Sequence, residues 1–245
     1  MSAFETIIYE KEGDGIVRIT LNRPGVLNAV DLPMRDALWS AFQAFRDDPG
    51  ARVLVLRGAG RAFSSGADIS DFGSAPSYVE ARRARRERDL WDLLLHLPKP
   101  TIAALHGHAL GAGLEMALLC DLRVASDDAR LGLPEVSLGY IPSAGGTQTL
   151  PRAIAPGVAL HMILAGDPID AAEAYRLRLV QRVVPRDALD AAADEWARAL
   201  ASRPPLALAY AKEAVVRGLD LPLRDGLSLE ARLAGLLMSA GERIR

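Results

Sequence analysis

The sequence predicts an α/β fold in one domain with a helical C-terminal part. Three observations lead there. Continuous apolar runs such as "VLVLRG" (53–58) and "TIAALHG" (101–107) read as strands covered on both faces. Amphipathic helical patterns stand between and after such runs. Beyond residue 145 helical patterns dominate, with no linker, low-complexity tract or repeat dividing the chain.

The elements follow in order. "TIIYEKEGDGIVRITLNRP" (6–24) predicts a hairpin, because two β-branched runs flank Gly13-Asp14-Gly15 and Pro24 ends the second. An amphipathic helix comes next, with Met34, Ala37, Leu38, Ala41, Phe42 and Phe45 on one face, opened by Asp31 and Pro33 and closed by "DDPG". Between the two buried strands, Ser77 to His96 reads as a helix carrying five arginines in "EARRARRERDLWDLL". Arg83 with Glu87, Arg85 with Asp89 and Arg88 with Asp92 stand four apart, which predicts surface pairing and a solvated face. "DALDAAADEWARALASRPP" predicts a helix capped by Asp187, with Leu189, Ala192, Ala193, Trp196 and Leu200 inward and Pro204 as its stop. "LALAYAKEAVVRG" and "GLSLEARLAGLLMSAGERIR" continue the helical part.

Composition narrows the function. With 245 residues, 50% of them hydrophobic, the chain can bury a large core. A net charge of −2 provides no general field for nucleic acid or anionic membrane. One cysteine, Cys120, cannot form an intrachain disulfide, and "MSAFETIIYEKEG" has neither a signal-peptide core nor an Arg-rich transit pattern, so a cytoplasmic setting is expected. No apolar run reaches the roughly 18 residues of a spanning helix. His96, His106, His108 and His161 make no zinc pattern. No strand-associated GxGxxG occurs, and "PSAGGTQTLPR" lacks the ending of a phosphate loop. Cys120 in "MALLCD" reads as a small buried thiol.

The chemistry lies in two similar stretches. In "VLVLRGAGRAFSSGAD" and "TIAALHGHALGAGLE" a buried strand and a glycine lead to a loop of small residues that enters a helical segment. Small side chains either permit tight packing or let a ligand approach bare N–H groups, and two such donors on one carbonyl oxygen would form an oxyanion hole.

Read together, "NRPGVLNAVD", "AFSSGADI", "KPTIAALHGHALGAGLEMALLCDLRVAS", "LGLPEVSLGYIPSAGGTQTLPR" and "LAGDPIDAAEAYRLRLVQRVVP" resemble the crotonase superfamily, closest to its enoyl-CoA hydratases. The resemblance covers nearly the whole chain. It implies a spiral core of repeated ββα units over residues 1–185, a helical oligomerisation region over 186–245, homotrimers or homohexamers, and an acyl-CoA thioester as substrate. It assigns the oxyanion N–H groups to Ser65 and Ala112, where the family usually has glycine at the second position. Glu115 and Glu135 carry over as the catalytic pair, and Ser65, Gly66, Ala67, Asp68, Ile69 and Gly111 as substrate-binding residues. No metal or further cofactor is implied, since coenzyme A belongs to the substrate; nor is a nucleic-acid or membrane partner. Reversible addition of water to a 2-enoyl-CoA is the implied reaction. The rival readings are an enoyl-CoA isomerase or other acyl-CoA lyase of the same family, and a non-catalytic CoA- or RNA-binding relative. Arg178 stands where the family usually has glycine, at a helix-ending left-handed turn, and relatives continue past "AGERIR" to help close the CoA pocket.

Overall fold

The computed structural model describes residues 4–71 and 88–241. Strands β1 (Ile7–Lys11) and β2 (Ile16–Leu21) form the expected antiparallel hairpin, turning at Gly15. β3 (Val53–Gly58), β4 (Thr101–Leu105), β6 (Leu122–Ser126) and β9 (Arg182–Val184) extend it in parallel, giving the order β1-β2-β3-β4-β6-β9. A second sheet joins β5 (His108–Leu110), β7 (Arg130–Gly132) and β8 (Ile169–Asp170) in the order β5-β7-β8.

The two-sided burial of β3 explains its unbroken apolar run. Leu54 and Leu56 point into a large core with Phe42, Phe45 and Leu38 of α1 (Leu32–Asp47). Val53 and Val55 point the other way, onto Leu189, Ala192, Ala193 and Ala197 of α7 (Leu189–Ala201). Burying each of the two phenylalanines contributes about 1.5–3 kcal/mol. Asp31 caps α1 by accepting from Met34 N at 2.8 Å, as its position before Pro33 predicts.

Several expectations change. The described part of the arginine-rich segment contains only a short helix, α2 (Leu90–Leu95), opened by Asp89, whose carboxylate accepts from Trp91 N and Asp92 N. Arg88 precedes that cap, so it does not share a helix face with Asp92. It pairs instead with Asp36 of α1 at 3.1 Å, while Asp92 pairs with His96 at 3.0 Å. Residues 77–87, with the other two expected pairings, lie outside the described residues. Asp187 is not a cap either: after Pro185 the backbone forms a 3-10 turn over Arg186–Ala188, and α7 opens without a side-chain cap.

Among the described residues the remaining α-helices are α3 (Ala112–Leu119), α4 (Gly146–Ala153), α5 (Pro156–Ala165), α6 (Ala171–Arg176), α8 (Pro205–Gly218) and α9 (Leu223–Ser239). Arg178 does adopt the left-handed turn (φ 62°) after α6; Arg178 N donates to Tyr175 O and Leu179 N to Ala174 O, with Leu179 buried beneath. The bonds of this turn offset the roughly 1–2 kcal/mol that a side chain costs in that conformation. The expected boundary after residue 185 cuts through packing, because α7 seals the second face of the large sheet. The helices that stand apart are α8, which buries no residue, and α9, which buries Leu229 and Leu233. Lys212 ties α8 to the core through Asp121 (2.8 Å) and the carbonyl of Lys99 (3.1 Å). Among the described residues no helix is long and apolar enough to cross a membrane.

Candidate active site

The second glycine-rich stretch turns from β5 into α3 at Gly111, whose φ of 50° and ψ of −128° favour glycine. A methyl group there would come within 2.9 Å of Glu135 Oε1 and 3.7 Å of Gly66 Cα. Gly111 is therefore where both loops and one of the acids meet. Ala112 opens α3, so its N–H has no acceptor within the helix, and among the described residues it meets none elsewhere.

Glu115 sits one turn further on, only 2% exposed, within a helix buried along its whole length. Its Oε1 accepts from Ala144 N and Gly146 N, each at 2.8 Å. An oxygen filled by two N–H donors carries no proton itself. This acid thus caps the start of α4, and a methyl group on Gly146 would lie 3.0 Å from its Cγ and Oε1. The glycines of "PSAGGTQ" bring the backbone up to a carboxylate rather than to a phosphate. The sequence reading missed this role; its signal was a Gly-Gly pair at a helix start.

Glu135 has a different environment. It lies in a 3-10 turn (Pro134–Leu138), half-buried, and its Oε2 is enclosed with no hydrogen-bond partner among the described residues. Desolvation pushes its pKa up, against the smaller lowering effect of its own backbone N–H. The two acids are thereby set apart: one is held by donors, and the other is driven toward its protonated form.

The first glycine-rich loop runs alongside β5, with Ser64 N donating to His108 O (2.9 Å) and Leu110 N to Ser64 O (3.0 Å). Here the assignment of Ser65 as an oxyanion donor is corrected, because its N–H is occupied by Leu27 O at 2.9 Å. Two positions on, Val30 N donates to Gly66 O (2.8 Å) and Asp68 N to Val30 O (3.0 Å), a parallel bridge between Val30 and Ala67. Such a bridge directs the N–H of the middle residue, Ala67, away from Val30. Among the described residues that N–H meets no acceptor. Ala67, expected only as a substrate contact, is the available donor in this loop. Gly66 (φ 107°) lies so close to the other loop that a methyl on it would be 3.1 Å from Leu110 O and 3.6 Å from Ala112 N.

Two further expected substrate contacts follow directly on this loop. Asp68 is taken up by Ser70 and Arg23, which hold its carboxyl below the usual range. Ile69 has an exposed side chain at the start of a 3-10 turn, Ile69–Asp71. Cys120 is buried, its thiol pushed up to about 12 by desolvation, which suits an inert packing residue. Burial also lowers His106 to about 4. Among the described residues no group of three His, Cys, Asp or Glu side chains is placed to hold a metal ion.

Backbone N–H groups beside two unlike carboxyl groups are equipment for an enzyme that stabilises an oxyanion while protons move. The chain belongs to the enoyl-CoA hydratase/isomerase family, which it matches over residues 11–243. It is 40% identical to a probable enoyl-CoA hydratase of Mycobacterium tuberculosis (strain CDC 1551 / Oshkosh), over 94% of this chain and 88% of that one. It is 38% identical to the mitochondrial enoyl-CoA hydratase of Pongo abelii, over 94% and 79% respectively. Among solved structures, enoyl-CoA hydratase subunit I of Geobacillus kaustophilus HTA426 superposes with a TM-score of 0.92 at 41% identity, covering 97% of this chain and 91% of that one. The crotonase fold expected from the sequence is thus the fold of this chain.

Proposed function

We propose that this chain is an enoyl-CoA hydratase that adds water reversibly to a 2-enoyl-CoA, giving the 3-hydroxyacyl-CoA. The observation that carries the reading is the pairing of a donor-held Glu115 with a desolvated Glu135 beside Gly111. The thioester oxygen accepts from Ala112 N–H and Ala67 N–H, and the donors hold the negative charge that develops there. Glu115 takes a proton from water as the water oxygen bonds to the β-carbon, and the electron pair of the double bond moves toward the thioester oxygen. Glu135 then delivers its proton to the α-carbon, which returns the carbonyl, and the proton taken up by Glu115 passes to Glu135 through the next water to restore the starting pair. The reverse reaction retraces these steps, and coenzyme A takes part only as a portion of the substrate. Shifting a double bond needs only one acid, so the presence of two favours hydration over isomerisation. Near-neutral charge speaks against an RNA-binding role.

We also propose a cytoplasmic homotrimer or homohexamer. The single buried thiol suits a reducing compartment. Val215, Leu219, Leu223, Leu227 and Met238, exposed on and beside α8 and α9, suit a subunit contact. A monomer independent of concentration in light scattering would remove this assembly.

The assay mixes purified protein with crotonyl-CoA and longer enoyl-CoAs and follows loss of the conjugated chromophore, with and without chelator and without added NAD. Turnover is expected under both conditions. Glu115→Gln and Glu135→Gln should each lower kcat by at least about 100-fold with thioester binding kept. The double variant should lose far less than the product of the single losses. Activity that vanishes on chelation, or requires NAD, overturns the mechanism.

A further inference from the structure

The loop that carries Ala67 is bonded on one side to β5 and on the other to residues 27–30, and the second attachment centres on Asn28. This residue is fully buried and left-handed (φ 56°), following Leu27, which is also left-handed (φ 53°). Its Nδ2 donates to Ala59 O (2.9 Å) and Ala62 O (2.8 Å), and its Oδ1 accepts from Arg23 N (2.8 Å). Both amide protons and the carbonyl are thus in use, clamping the chain as it leaves β3. The main chain of Asn28 works in the other direction. Its carbonyl accepts from Ser64 Oγ (2.8 Å), and Ser64 Oγ in turn accepts from Gly66 N (3.2 Å). Leu27 O holds Ser65 N, and Val30 holds Gly66 and Asp68, on either side of that link.

Ser64 also touches the second loop. A methyl on Gly113, in the first turn of α3, would lie 2.8 Å from both Ser64 Cβ and Ser64 O. The distance between the two loops is therefore set at Ser64, whose hydroxyl is oriented by Asn28.

We propose that Asn28 is a positioning residue for the reaction, acting through Ser64 to fix the Ala67 N–H relative to the Ala112 N–H. This rests on the hydratase reading. An amide is suited to the place: asparagine tolerates the left-handed backbone, and only an amide both donates twice and accepts once at these separations. A displacement near 1 Å at a reacting centre costs about 100-fold in rate.

The test compares wild type with Asn28→Gly, which keeps the left-handed backbone without strain and deletes the side-chain clamp. Three quantities are read on folded protein, verified by circular dichroism: kcat, KM, and the band of a bound aryl-conjugated enoyl thioester. That band moves to longer wavelength as donors polarise the carbonyl. The expected result is a fall in kcat of about 100-fold, a much smaller change in KM, and a reduced red shift. Where Asn28→Gly fails to fold, Ser64→Ala removes the hydroxyl relay alone and is expected to reduce kcat and the red shift together. A folded Asn28→Gly, or in its place Ser64→Ala, with wild-type kcat and red shift overturns the proposal and leaves Asn28 as scaffolding. A wild type that polarises the bound thioester yet hydrates no enoyl-CoA overturns the hydratase reading instead. In that case the red shift alone decides whether Asn28 sets the donors.

Discussion

The two glycine-rich loops look alike in sequence and acquire their donors by different means. In the 111–115 loop the donor follows from local structure: Ala112 is the first residue of a helix, and a first-turn N–H lacks an intrahelical acceptor. In the 64–68 loop the donor follows from remote partners. Leu27 consumes the N–H of Ser65, while the bridge to Val30 leaves that of Ala67 facing away. One donor is thus a property of an element and the other a property of a contact. A substitution far from the reacting atoms, at residues 27–30, will therefore disturb one donor and spare the other.

The strongest way to break this comparison is Ala67→Pro, which deletes the N–H itself. Val30 bonds to positions 66 and 68, so among the described residues no internal hydrogen bond depends on that N–H. Turnover of enoyl-CoA should fall by about 100- to 1000-fold, the loss typical of one oxyanion donor, with circular dichroism retained. Wild-type turnover in a folded Ala67→Pro would remove Ala67 from the oxyanion site.

A smaller effect sharpens the other half. Ala112 is buried, and its N–H stands 3.6 Å from where a methyl group on Gly66 would lie. Ala112→Gly should preserve catalysis, while Ala112→Val should lower kcat/KM for an acyl-CoA by about 10-fold or more through crowding. Equal kinetics across Gly, Ala and Val at this position would show that the residue does not face the thioester.

The smallest effect separates the two acids by stability. Desolvation raises the Glu135 pKa in the folded protein, so between the usual glutamate value of 4.5 and that raised value the native state holds more protons than the unfolded chain. Stability supplied by the protonated form is lost as pH rises through this window. Melting temperatures of Glu135→Gln and wild type, followed upward from pH 4.5, should therefore move in favour of the variant. A difference that stays constant with pH would mean that the carboxyl is not desolvated.

Much of this protein is determined by short-range sequence. Alternating and continuous apolar runs specify β1 to β4, the rhythm from Met34 to Phe45 specifies α1, and the ordered blocks around Glu115 and Glu135 identify the family. Those signals are legible because side-chain burial repeats with the period of the element that carries it. Elsewhere the sequence signal was outweighed. Arg88 pairs with α1 rather than along its own helix because Asp89 caps α2 first. Asp187 falls within a 3-10 turn after Pro185 instead of capping the helix, and α7, read as part of the C-terminal oligomerisation region, seals a face of the main sheet. Only the tertiary structure could decide that Ser65 is spent and Ala67 available, that Ala144 and Gly146 fill one oxygen of Glu115, and that Glu135 is left desolvated. Each depends on which backbone groups from distant parts of the chain come within about 3 Å, the length of a hydrogen bond, and no local pattern of residue types encodes that pairing.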